Sequence, residues 1–133
     1  MSIVKIRAAL ETRLSLLAPV LQTSWENALL DVAAQAHQRA YLITNATRTP
    51  GLDLKTKHEK GIFQVSVCYP INAGPVACAN RAELIRAHFP AGVKLLAGGV
   101  SVLVYEWPSI GASMTEDIFY ILPVSISYRA FTT

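Results

Sequence analysis

The chain has 133 residues, 52% of them hydrophobic and 16% charged, with 12 basic against 9 acidic side chains for a formal charge of +3. That length builds one domain with a core of its own, and so mild a basic excess falls far short of a dedicated nucleic-acid binder. No apolar run reaches the roughly 18 residues of a membrane span, and Met1–Lys5 lacks the basic and apolar regions of a signal peptide, so no membrane partner and a cytoplasmic residence are expected. In that setting Cys68 and Cys78 are expected to be free thiols. A charged fraction below the usual level of about 25% fits either a well-filled core or a subunit that buries surface in an assembly.

Ser2 suits a helix N-cap, and Ile3, Ile6, Leu10, Leu14 and Leu17 follow at helical spacing until Pro19 stops the run. Lys5, Arg7, Glu11 and Arg13 fill the other faces, which predicts an amphipathic helix covering a sheet. Thr23–Asn27 reads as a connection with capping residues. Ala28–Ala40 is rich in Ala and Leu and is predicted helical, with His37, Gln38 and Arg39 as a polar exit. Tyr41–Ala46 reads as a strand. Thr47–Lys60 is a long polar arm carrying Arg48, Lys55, Lys57, His58 and Lys60 against Asp53 and Glu59. Connections of this length inside a compact domain tend to be functional or disordered.

Lys60–Tyr69 alternates strictly, with Phe63, Val65, Val67 and Tyr69 pointing one way and Gln64, Ser66 and Cys68 the other. This is the period of a half-buried strand, opened by Gly61 and ended by Pro70. Its apolar face is expected under the helices, and its other face is expected to be open to a neighbour or a lumen. A turn over Pro70–Val76 leads to a helix beginning near Pro75 and running to about Phe89, with Cys78, Ala82, Ile85 and Phe89 on one face. Val93–Ala97, Gly98-Gly99 and Val100–Trp107 form a hairpin signal, because two glycines supply the positive φ angles of a tight turn. Pro108–Asp117 reads as a second polar loop. Ile118–Arg129 alternates again, with Tyr120, Leu122, Val124, Ile126 and Tyr128 on one side, and Pro123 predicts an edge strand or a bulge. The order of elements predicts an α+β fold: a single mostly antiparallel β-sheet packed on one face by two or three helices, with long hairpin loops.

Catalytic patterns are absent from the local sequence. His37, His58, His88, Cys68 and Cys78 stand at least ten residues apart, outside the local spacings of zinc sites. Both cysteines read as small core residues. No Gly-x-Ser-x-Gly elbow occurs, and Gly98-Gly99 lacks the helix and lysine of a phosphate loop. Glu26 and Glu106 each neighbour a tryptophan, which can raise a carboxylate pKa by desolvation. A small enzyme with a dispersed site would need a pocket where one of them meets His88 or a cysteine. The basic arm is the remaining candidate. Its cations suit phosphates or an acidic protein surface, giving an alternative reading as a sequence-nonspecific nucleic-acid-binding module using residues 47–60. The bland reading of the same arm is a solvated loop.

Three stretches in order carry a resemblance. They are the helix Met-Ser-Ile-x-x-Ile-Arg-Ala-Ala-Leu-Glu-x-Arg-Leu with its sequel Trp25-Glu26-Asn27; the strand Gly61–Pro70; and Gly74-Pro75 leading to Arg81–Pro90, then Pro123–Arg129. Together they resemble the small tail terminator, or tail-completion, proteins of long-tailed bacteriophages and prophages. The resemblance implies a structural protein without catalytic residues, cofactor or metal. It further implies a homo-oligomer, usually a hexameric ring, that caps the last ring of tail-tube subunits, stops tube polymerisation and offers the head-joining surface. The implied partners are other copies of the chain, the tail-tube protein and a head-completion protein, with a nonspecific contact to DNA in the lumen. The implied locations are the host cytoplasm during assembly and then the virion tail. In such a ring the candidate contacts are Arg48, Lys55, Lys57, Lys60, Gln64, Ser66, Met114 and Glu116, from the arm, the open strand face and the second loop. Where relatives carry a Pro-rich extended segment after Trp-Glu-Asn, this chain has Ala28–Ala40.

Overall fold

The alternating run at the centre of the sequence becomes the axis of the fold. The computed structural model describes residues 2–19, 21–26, 35–45, 47, 57–72, 74–116 and 118–132. In chain order the elements are α1 (Ser2–Ser15), β1 (Thr23–Trp25), β2 (His37–Thr44), β3 (Lys57–Pro70), α2 (Val76–His88), β4 (Lys94–Ala97), β5 (Val100–Val104), β6 (Ser109–Ile110), β7 (Met114–Glu116) and β8 (Phe119–Thr132). They form one sheet in the order β1-β2-β3-β8-β5-β4, with β6 and β7 also paired to β8. Among the described residues β1 and β2 run parallel and the other pairs are antiparallel. The fold is α+β, with α1 and α2 as the helices among the described residues.

The alternation of β3 and β8 sorts the sheet into two faces. Phe63, Val65 and Val67 stand beside Ile126, Val124 and Leu122 in direct register. Their face is closed by Ile6, Leu10 and Leu14 of α1, by Cys78, Ala82 and Ile85 of α2 and by Phe89 just past its end, in one buried cluster. Fully burying each such aliphatic or aromatic side chain is worth about 1.5–3 kcal/mol, so this layer dominates stability. The expected stripe on α1 is therefore the buried one, and Leu17 joins it past the helix end, where its N–H donates to Leu14 O at 3.2 Å. The two helices are tied end to end: Arg13 Nε donates to His88 O at 3.0 Å, and His88 Nε2 donates to Arg13 O at 2.6 Å. Gly61 lies where β2, β3 and β8 meet, and a Cβ there would run into Ile43 O and the Tyr128 ring. The Gly98-Gly99 turn has φ of 54° and 85°, as its hairpin requires.

Several expectations change. The helix predicted over Ala28–Ala40 is contradicted at its C-terminal end: His37–Ala40 is strand, paired to Cys68–Val65, and residues 27–34 lie outside the described residues. Ladder pairing and alternate burial of Gln38, Ala40 and Leu42 override the helical propensity of the local composition. Thr23–Trp25 is a strand rather than a connection. β3 starts at Lys57, so the end of the basic arm belongs to the sheet. Pro123 sits neither on an edge nor in a bulge, since β8 is unbroken and paired on both sides. Pro123 O accepts from Gly111 N at 2.9 Å. In an antiparallel strand a residue's N–H and C=O share one edge, so the missing N–H faces the break between β6 and β7. Pro108–Asp117 is thus no free loop; it lays β6 and β7 along β8.

Candidate interaction surface

Helices cover one sheet face, and the other carries the side chains that remain available. Along β3 that second face presents His58, Lys60, Ile62, Gln64, Ser66 and Cys68, opposite Phe131, Arg129, Ser127, Ser125, Pro123 and Ile121 of β8. Its two ends differ in chemistry. At the Cys68 end the sheet closes on itself: Cys68, Phe119 and Ile121 form a second buried cluster, and the His37 ring stands edge-on to Phe119 at 4.8 Å. Arg39 Nη1 lies 3.8 Å from Glu116 Oε1, bridging β2 to β7 beside this cluster. The openness expected for the whole face fails here, because Cys68 is fully buried and Ser66 is 7% exposed. The cause is β7, which folds the second polar segment back onto the sheet.

At the opposite end the face is basic. Lys60 and Arg129 stand directly opposite each other and share one ring: Lys60 Nζ is 5.3 Å and Arg129 Cζ is 5.6 Å from the Tyr105 centroid. A cleft of about 360 Å³ opens beside them, walled by Ile43, Ile62 and Tyr105. On this face Tyr41 and Ile43 of β2 remain exposed, as do Met114 on β7 and Phe131 on β8.

The candidate contacts therefore do not converge. Lys60 belongs to the basic end, Lys57 lies three residues before it with the alternation of the opposite face, and both are exposed. Gln64 is half-buried mid-face, reaching Ser66 Oγ at 3.5 Å. Met114 and Glu116 lie at the far end; eight steps of β8, from Arg129 to Ile121, span about 27 Å at roughly 3.4 Å per residue. Arg48 and Lys55 lie outside the described residues. Arg129 and Tyr105 escaped notice in the sequence, although Arg129 falls on the second face by the same alternation that places Tyr128 in the core.

The titratable groups offer little chemistry. Glu26 departs from expectation: its pKa is lowered, first because its carboxylate accepts the Leu42 N–H at 2.8 Å and then through Arg7, against a smaller opposing effect of burial. It caps the β2 edge instead of storing a proton. Burial pushes the Cys78 thiol up to about 11 and also raises Cys68. Among the described residues no three His, Cys, Asp or Glu side chains gather as metal ligands, and no helix is long and apolar enough to cross a membrane.

The phage tail terminator protein family matches residues 5–128. The chain belongs to the phage tail terminator family. A solved structure described only by a sequence identifier is similar over nearly its whole length, at 32% identity and a TM-score of 0.79, covering 98% of this chain and 96% of that one. Comparison with curated proteins gives no match. This terminator is thus a structural protein of the phage tail by family.

Proposed function

We propose that this terminator acts by forming a ring, a homo-hexamer, on the last ring of tail-tube subunits, where it halts tube polymerisation and presents the surface that receives the head. The family match over residues 5–128 carries this reading. The uncovered sheet face supports it, because Tyr41, Ile43, Met114 and Phe131 stay exposed in a single copy, as interface side chains do before assembly. Assembly takes place in the host cytoplasm before the protein resides in the virion tail.

Light scattering on the protein alone and with its tube protein tests this reading. A ring-sized mass, alone or on the tube, is expected, and a strict monomer that neither binds nor caps tubes overturns it. The second reading, a nucleic-acid module, rests on the positive end around Lys57, Lys60 and Arg129. It predicts duplex affinity that falls steeply with salt. The second face becomes neutral one step beyond the Lys60–Arg129 pair, at Ile62, Gln64, Ser125 and Ser127, and so offers no track for a phosphate backbone.

A further inference from the structure

We infer that Lys60, Arg129 and Tyr105 form a docking site for a carboxylate side chain on an apolar protein segment, supplied by a tail partner. That the partner is a tail protein rests on the terminator reading; the site itself stands on its own geometry. Like charges directly opposite each other in an antiparallel pair destabilise a sheet. Lys60 and Arg129 occupy such a position, and neither takes part in an ion pair among the described residues. Among the described residues, the neighbouring rows of β3 and β8 bring no acid to this face. Glu59 alternates to the other face and accepts from Thr47 Oγ1, while the next row outward is His58 stacked on Phe131 at 4.7 Å. The next row inward is Ile62 and Ser127. Tyr105 gathers both cations over one ring, which offsets part of their repulsion, and Lys60 and Tyr105 both line the cleft.

A local rule broken without full internal compensation is expected at a functional position. An external anion supplies that compensation. The cleft decides which anion. It is lined by Ile43, Ile62 and Tyr105 together with Lys60 and Ser127. A carboxylate flanked by aliphatic residues places its oxygens between Lys60 and Arg129 and its neighbours against the isoleucines. A phosphodiester run finds two cations and then a neutral, partly apolar surface.

Three measurements on the full chain test this. Titrating acetyl-Leu-Glu-Leu-amide should shift the NMR signals of the Tyr105 ring and the Arg129 Nε–H, with affinity about tenfold above the Gln counterpart. Lys60→Gln/Arg129→Gln should abolish the shifts. Lys60→Glu places opposite charges across the strands, so it should raise Tm by about 2 °C while losing the peptide. Absence of shifts, equal affinity for the Gln peptide, or a short DNA duplex displacing the peptide from the same residues would overturn the proposal. In tube capping, the double Gln variant should lose activity that Lys60→Arg retains. Normal capping by the double variant removes the site and leaves the terminator reading intact. Failure of the wild type to cap removes that reading while the peptide result stands.

Discussion

Replacing Arg81 with Ala leaves two acceptors behind. Arg81 is 4% exposed, and among the described residues its guanidinium is held by neutral partners, Gln38 Oε1 at 3.3 Å and Pro19 O. Burial lowers its pKa, yet a guanidinium stays charged in the working range. Removing it strands Gln38 inside the protein, which should cost about 3 kcal/mol in urea unfolding. Arg81→Met combined with Gln38→Leu should recover more than half of that loss, since an apolar pair needs no hydrogen bonds. If Arg81→Ala is silent, the contact has no part in stability. Cys78 gives a second check: with its thiol near 11 and no exposure, it should resist alkylation until the chain unfolds, and modification at native rates would contradict its burial. Neither residue's role was legible in sequence. Cys78 read as core from helical spacing alone, whereas nothing in the local sequence marks Arg81 as buried, because its partners lie 43 and 62 positions away.

At the scale of elements, the reciprocal bonds between Arg13 and His88 join α1 to α2, and the burial of His88 at that junction makes stability depend on pH. The His88 pKa is lowered from 6.5, chiefly by burial and also by the nearby Arg13 and Arg81 charges, against a smaller raising effect of its bond to Arg13 O. The unfolded chain therefore binds a proton below 6.5 that the folded chain refuses. The stabilisation is whole above that pH and is lost as pH falls toward the folded value. Thermal unfolding should show this slope, and His88→Gln should flatten it; an unchanged slope would assign the effect elsewhere. β3 and β8 were legible because period-two alternation ran for ten residues without interruption. β2 was misread at its start because His37–Ala40 has no such signal; its pairing is decided by β3, which lies far along the chain. β6 and β7 were hidden for a similar reason. Two- and three-residue strands carry no pattern and exist only because β8 offers them an edge.

Over the whole molecule, one covered face and one uncovered face explain the low charge content better than core filling alone. The buried cluster under α1 and α2 accounts for the apolar residues of one face, while Tyr41, Ile43, Met114 and Phe131 remain as surface that a monomer has no use for. Changing Ile43 to Lys at that face should leave Tm nearly unchanged, as for most exposed sites, but should weaken assembly. The most direct measurement is electron microscopy of purified tail-tube protein polymerising with and without the terminator. Tubes should stop growing when it is added, with a ring of its density at one end. Tubes that lengthen as before, carrying no such ring, would contradict the account.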